Sequence, residues 1–317
     1  MMIITIAPFP SVEYIYDVDF LEPNCAINSK EVSLNILSKG IHSAQIIKLL
    51  QDEPILLSML GGFAGKYIKH YLDKSRIKTD IIWTDTETPH KMRILLGDTN
   101  TYYLLKRDET YPFDKEIIKL SQKLKAHIKK VSTLLLSGYI PPGTTPTLFR
   151  EWIKEAKLHN IKTIVCTGQK DVLIHALEET PYALMFTEEQ LNQLEIATDS
   201  KEAIIKALIP YLKQGVHYIA VYLKEQGALM LSKNKFCLIE PPMSLNKIIS
   251  NSASSGAFLG TFALGINRKY EQEKFSKMCL AAALAANCDV NKPICSRKDI
   301  ELLSKKVKIK EISTSLF

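Results

Sequence analysis

The sequence predicts an α/β protein: a mostly parallel central sheet with helices on both faces, plus a small separate β-sheet. Three observations predict it. Apolar runs of strand length alternate with segments of helical period along most of the 317 residues. Two stretches, VEYIYDVDF (12–20) and HKMRILLGDTNTYYLLKR (90–107), alternate instead with period two and have no helix between paired strands. The composition, 46% hydrophobic and 24% charged, supplies a sizeable core.

IITIA (3–7) reads as a strand, and ILSKGIHSAQIIKLLQ (36–51) as a helix with Ile41, Ala44, Ile46, Leu49 and Leu50 mainly on one face. ILLSML (55–60) is a buried strand. GKYIKHYLDKSR (65–76) is a helix, its Tyr67, Ile68, Tyr71 and Leu72 spaced three and four apart. TLLLSG (133–138) is a strand, TPTLFREWIKEAKLHN (145–160) a helix, IKTIVCT (161–167) a strand, and a helix follows near 170–178. YALMF (182–186), YIAVYL (218–223) and ALML (228–231) complete the expected strands, and the chain from Ala257 on is expected to be mostly helical. The period-two stretches form the small sheet, built from about residues 10–36 and 86–107, with GDTN as a hairpin turn. Such an appendage serves as a lid or a dimer face. No internal repeat and no linker divides residues 1–317, so a single domain is expected.

The net charge of +7 is spread over short lysine clusters. That suits an anionic small molecule and falls short of the concentrated basic stripe of a nucleic-acid binder. Six cysteines (Cys25, Cys166, Cys237, Cys279, Cys288, Cys295) lack CxxC spacing and read as free thiols rather than a zinc site. The start MMIITIAPF has no basic region leading a long apolar stretch, and no apolar run reaches the ~20 residues that span a bilayer. A cytoplasmic protein without a membrane partner is expected.

In a parallel sheet, ligands bind beyond the carboxyl ends of the strands. Four segments fall there: MLGGFAG (59–65), SGYIPPG (137–143), YLKEQGA (222–228) and SNSASSGAF (250–258). The glycine cluster permits either close backbone approach to a ligand or a tight strand-to-helix turn. The last segment, small residues opening a helix, has backbone N–H groups suited to an anion. It carries no acidic residue.

On these residues the chain resembles the phosphofructokinase-B branch of the ribokinase superfamily, near 1-phosphofructokinase and tagatose-6-phosphate kinase. LGGFAGKYIKHYLDKSRIKTDII (60–82) follows the family segment, LLLSGYIPPG resembles LSGSLPxG, residues 222–228 sit at SLGxxGA, SNSASSGAF sits at (N/D)TxGAGD(S/A)F, and KVKIKEI matches the family ending. The resemblance implies a three-layer ribokinase-like fold with a β lid, ATP with Mg2+ as nucleotide ligand, and a phosphorylated sugar as substrate.

It also implies roles, several at altered positions. The family's general base falls on Gly256, which has no side chain to accept a proton. Ala253, Ser254, Ser255 and Gly256 stand at its anion hole. NxxE, which supports the magnesium shell, becomes Thr187, Glu188, Glu189 and Gln190, with Glu188 and Glu189 as stand-in carboxylates acting through water. Thr187, Lys224, Gln226 and Gly227 fall at the nucleotide, Lys224 replacing a glycine. Glu13, Lys39, Gly40, His42, Lys91 and Arg93 fall at the sugar phosphate; Lys39 is unchanged, while His42 replaces Asn. A carboxylate at 256 is expected to be tolerated, in a first helical turn where the dipole favours it. Two functions follow: a module that binds nucleotide or sugar phosphate with weak or absent phosphoryl transfer, or an ATP-dependent phosphohexose kinase with a non-standard site. The small sheet is expected to pair two copies into a homodimer, since exposed strand edges invite pairing.

Overall fold

A computed structural model describes residues 2–97, 101–106, 114–141, 143–242, 251–286 and 295–313. In chain order the elements are β1 (Met2–Ala7), β2 (Ser11–Val18), β3 (Glu31–Leu37), α1 (Lys39–Leu49), β4 (Ile55–Gly61), α2 (Gly62–Lys74), β5 (Lys78–Thr84), β6 (His90–Leu96) and β7 (Tyr102–Lys106). There follow α3 (Asp114–Ile128), β8 (Val131–Ser137), α4 (Leu148–Leu158), β9 (Lys162–Cys166), α5 (Lys170–Glu178), β10 (Ala183–Thr187), α6 (Glu188–Gln193) and α7 (Lys201–Lys213). The chain continues with β11 (Tyr218–Tyr222), a 3-10 turn (Lys224–Gln226), β12 (Ala228–Ser232), β13 (Phe236–Glu240), α8 (Asn251–Asn267), α9 (Gln272–Ala285), α10 (Arg297–Lys306) and β14 (Lys308–Ile312).

Among the described residues, ten strands form the main sheet in the order β14-β13-β12-β11-β10-β9-β8-β1-β4-β5. The run from β11 to β5 is parallel, and β12, β13 and β14 add antiparallel edges. Continuous apolar strands arise because both faces are covered. Ile4 and Ile6 of β1 pack with Leu134 and Leu136 of β8 against α3, α4, α5 and α7. Ile3 and Leu135, one residue out of phase, pack on the other face with α1, α8 and α9. This is the predicted three-layer arrangement. No helix among the described residues is long and apolar enough to cross a membrane.

The second sheet has the order β3-β2-β6-β7. β2 runs parallel to β6, which pairs antiparallel with β7 from Lys91↔Lys106 to Leu95↔Tyr102. Asp98–Asn100 of the expected GDTN turn lie outside the described residues, as do Arg107 and Cys288.

Three expectations change, and one open alternative is decided. The helix expected over 36–51 starts at Lys39, because Ile36 and Leu37 belong to β3 and Ser38 caps the helix, its Oγ accepting from Ile41 N at 3.3 Å. The strand set is larger than expected. β5, β13 and β14 complete it, and β14 (KIKEI) pairs with β13 as the sheet's edge. The small residues expected to form a loop at 250–256 are helical from Asn251. The glycine cluster at 61–65 is a tight turn filled from within. The Glu87 carboxylate accepts from Phe63 N (3.1 Å) and Ala64 N (2.7 Å), and a Cβ on Gly62 would lie 1.8 Å from it. Nothing in the local sequence around Gly62 signals that partner, which is a distant residue.

Candidate functional site

β1 lies between β8 and β4, so the chain leaves the middle of the sheet in both directions. The crevice at such a point, beyond the strand ends, is where a doubly wound sheet takes ligands. A cleft of about 310 Å³ is found there, bounded by Ala7 at the end of β1, Ser137 and Gly138 at the end of β8, and the small sheet. Its polar lining is Ser11, Ser38, Lys39, Lys91, Arg93, Ser137, Glu189, Ser252 and Ser255.

Local structure sets each cation. Gly40 lets α1 approach the strand ends: a Cβ there would lie 2.5 Å from Ser137 Oγ and 2.9 Å from Ala7 Cβ. With Ser38 as the cap, Lys39 is the first helical residue and lines the cleft. Lys91 and Arg93 reach it from β6. The Arg93 guanidinium donates through Nε (3.1 Å) and NH2 (2.9 Å) to one oxygen of Glu13 and stands 4.9 Å from the centre of the Tyr102 ring. Glu13 is 4% exposed, so its carboxylate is committed to Arg93 on the neighbouring strand. His42 does not line the cleft. Its ring nitrogens contact Ile36 O (2.8 Å) and Gln45 Oε1 (3.0 Å), and burial holds it below its ordinary pKa against those bonds. A neutral ring donates from Nε2 to the Ile36 carbonyl, so Gln45 must turn its amide nitrogen to Nδ1.

Beside the cleft, β11 passes through the 3-10 turn into β12. Gly227 is required: its φ is +93° and a Cβ would lie 2.1 Å from Ile239 O. Lys224 also sits in the left-handed region, at φ +53°, where L residues other than Asn and Asp are strained. Its ammonium donates to Glu189 at 3.2 Å. Gln226 is exposed on the same turn. Thr187 caps α6: its Oγ1 accepts from Gln190 N at 3.4 Å, and the Gln190 side chain accepts in return from Thr187 N at 3.0 Å. That reciprocal pair turns Gln190 inward, leaving Glu188 half-buried and Glu189 exposed at the cleft rim. Glu189 is the one carboxylate among the described residues of the lining.

Position 256 is unlike the expectation. Gly256 is within α8, past its first turn, and faces α1. A Cβ would lie 2.5 Å from His42 Cβ and 3.0 Å from Lys39 O, and its carbonyl accepts from Ser43 Oγ at 2.9 Å. Gly260, one turn on, is equally tight, 2.3 Å from Ile46 Cγ2. The two glycines are the contact by which α8 lies on α1, and the expected tolerance of a carboxylate at 256 is corrected. Ser252 and Ser255 line the cleft, whereas Ser254 is fully buried and Ala253 is half-buried without lining it. Ser137 and Ser252 fall in two of the four segments expected at the ligand end, though neither was given a role; Ser11 and Ser38 were missed, since single serines carry no spacing signal, and only the cap position of Ser38 could have been inferred from the helix after it.

A profile described as pfkB family carbohydrate kinase matches residues 10–300. The chain is 25% identical over 287 residues to tagatose-6-phosphate kinase of Staphylococcus epidermidis, covering 87% of this chain and 89% of that one. It is 26% identical over 318 residues to 1-phosphofructokinase of Borreliella burgdorferi, covering 99% and 100%. In structure it resembles a possible 1-phosphofructokinase of Thermotoga maritima, with a TM-score of 0.82, 16% identity and coverage of 99% and 100%. At that identity the likeness shows the fold.

Proposed function

The chain belongs to the pfkB family of carbohydrate kinases and has its ribokinase-like fold, and from that premise we propose that it binds a phosphorylated sugar and ATP but transfers phosphate slowly or not at all. The observation that supports this is a cationic cleft together with a crowded position 256, where the resemblance puts the family's base. Lys39, Lys91 and Arg93 line one cleft and suit a phosphate group. Gly256 has neither a proton acceptor nor space for one. A positioned general base supplies about 10²–10⁴ in rate, and its loss is not repaired by binding.

In this reading Lys39, Gly40, Lys91 and Arg93 form the sugar-phosphate end, with Glu13 orienting Arg93. The nucleotide lies against the turn at 222–228, near Thr187, Lys224, Gln226 and Gly227. Glu188 and Glu189 are the carboxylates fitted to a magnesium shell through water, since Mg2+ takes one or two carboxylates with the phosphates. Bound there, Mg2+ would neutralise charge on the phosphoryl oxygens. Lys224 now pairs with Glu189, so occupation of this side requires that ion pair to open. The exposed strand β7 pairs two copies through the small sheet. Free thiols and metabolite ligands fit the cytoplasm.

A second reading rests on Glu189. As the carboxylate of the cleft lining, it could take the hydroxyl proton in place of residue 256, giving an active phosphohexose kinase. Calorimetry with fructose 6-phosphate, fructose 1-phosphate and tagatose 6-phosphate tests the proposal. Binding of at least one, weakened about tenfold or more in Lys39→Met by loss of a charge-assisted contact, is the expected result. No binding of any sugar phosphate, with or without ATP and Mg2+, would overturn it.

A further inference from the structure

At the end of the main sheet opposite the cleft, the chain enters β9 at Lys162 and β11 at Tyr218, and Tyr182 directly precedes β10. These residues meet the end of α8 around a cavity of about 250 Å³, whose lining includes Lys162, Tyr182, Tyr218, Lys269 and Tyr270. A larger groove of about 830 Å³ adjoins it through Tyr182 and Tyr218, and adds Lys213, His217 and Lys233. No Asp or Glu lines either space among the described residues.

The aromatic floor is fixed. His217 stacks on Tyr182 with centroids 4.4 Å apart and planes 15° apart, and Phe275 meets Tyr218 edge-on at 5.5 Å. The Lys162 ammonium stands 4.7 Å from the centre of the Tyr182 ring and donates to Ile266 O at 3.4 Å. Part of this positive charge answers the carbonyl end of α8. One long bond to a carbonyl does not offset two ammonium groups, and neither Lys162 nor Lys269 has a carboxylate partner among the described residues. Lys269 is held in the left-handed region at φ +53°, where glycine is the unstrained choice. Burial, with the charge of Lys269, pushes the Lys162 ammonium below the ordinary lysine range. Two like charges converge on one cavity, with apolar and aromatic surface from Ile209, Leu212 and Phe236 alongside.

We propose that this cavity is a second anion site, binding the phosphoryl group of a small phosphate ester between Lys162 and Lys269 while the adjoining groove holds the rest of the molecule. Lysine serves such a site as a point charge, and an anion removes the repulsion between the two ammonium groups. A site at the far end of the sheet is a place from which a metabolite can act on the fold without competing for the cleft.

The test uses the full-length Lys39→Met protein, so that binding in the cleft is weakened, with lysine ε-carbons labelled for NMR. Inorganic phosphate and AMP are the probes. The Lys162 resonance reads this site alone: either probe should shift it and raise its titration midpoint. Lys269→Met should weaken that response about tenfold or more, as expected for loss of one charge-assisted contact. AMP binding tighter than phosphate assigns the groove to the ester's organic part; equal binding limits the site to the phosphoryl group and overturns the ester. A Lys162 resonance indifferent to both probes, or a response unchanged in Lys269→Met, overturns the site itself. Lys269 is exposed, so its variant folds even if Lys162→Met does not. Either failure leaves the cleft reading intact, because that one is decided by Lys39→Met in the native background.

Discussion

A Cβ on Gly256 would meet His42 Cβ at 2.5 Å, so even alanine forces α8 away from α1. Gly256→Asp should therefore destabilise by about 1–3 kcal/mol or more through overpacking, without raising turnover. Urea unfolding beside a turnover assay checks both. A stable Gly256→Asp variant with faster transfer would show that α8 can be repositioned. Lys224 predicts the opposite sign. Lys224→Gly removes a strained φ at the cost of an exposed ion pair, so stability should rise by about 0.5–1 kcal/mol. It also frees Glu189, and calorimetry should show tighter ATP·Mg2+ binding. His42 gives a pH dependence. Its folded pKa lies below the ordinary value of 6.5, so the unfolded chain takes the proton first. Its stability contribution is complete above about pH 6.5 and is lost as pH falls toward the folded value, by at most about 1.4 kcal/mol per pH unit. Unfolding curves at pH 7.5 and 5.5 should lose this component in His42→Gln.

Among the elements, β5 is the parallel edge of the main sheet, and it is tied to α3 by Asp80, which accepts from Lys123 and from His127 (2.9 Å). Partial burial raises the Asp80 pKa, but the hydrogen bonds from Lys123 and His127 outweigh it and hold the carboxyl below its ordinary value of 3.8. The stabilisation is present above about pH 4 and lost as pH falls through the folded value. Asp80→Asn should remove about 0.5–1 kcal/mol at pH 7, after allowance for solvent screening, and flatten the acid limb of a stability curve. Elements were legible where burial on both faces left continuous apolar runs, as in IITIA, TLLLSG and YALMF. At the antiparallel end ALML marked β12, but the outermost strand was not legible, because β14 is largely exposed and its lysines resemble a surface tail. The start of α8 read as a loop because Ser, Ala and Gly together carry no apolar stripe and Ser and Gly are weak helix formers; its helicity comes from packing on α1, which no local pattern encodes. At the site, Lys39, Lys91 and Arg93 could be located by resemblance. The engagement of Glu13 by Arg93 links residues 80 positions apart and needed the sheet register.

On the scale of the whole molecule, the main sheet supplies the cleft floor and the small sheet its wall, so a ligand placed in the cleft would touch both. β7 presents Tyr102, Tyr103, Leu104 and Leu105 to solvent, each at least 43% exposed, on a strand with one partner among those described. A second copy should cover it. Leu105→Lys should convert a dimer to a monomer in sedimentation equilibrium, by placing charge on the pairing edge. The central claim, a sugar-phosphate site preserved in a family kinase whose base position is sterically closed, is tested most directly by a single-turnover measurement. Labelled ATP with Mg2+ would be mixed with saturating tagatose 6-phosphate and the phosphorylated product quenched over time. The account predicts bound sugar phosphate with transfer about 10²–10⁴-fold below the roughly 1–100 s⁻¹ typical of kinases. Transfer within that ordinary range, by the protein with Gly256 in place, would contradict it.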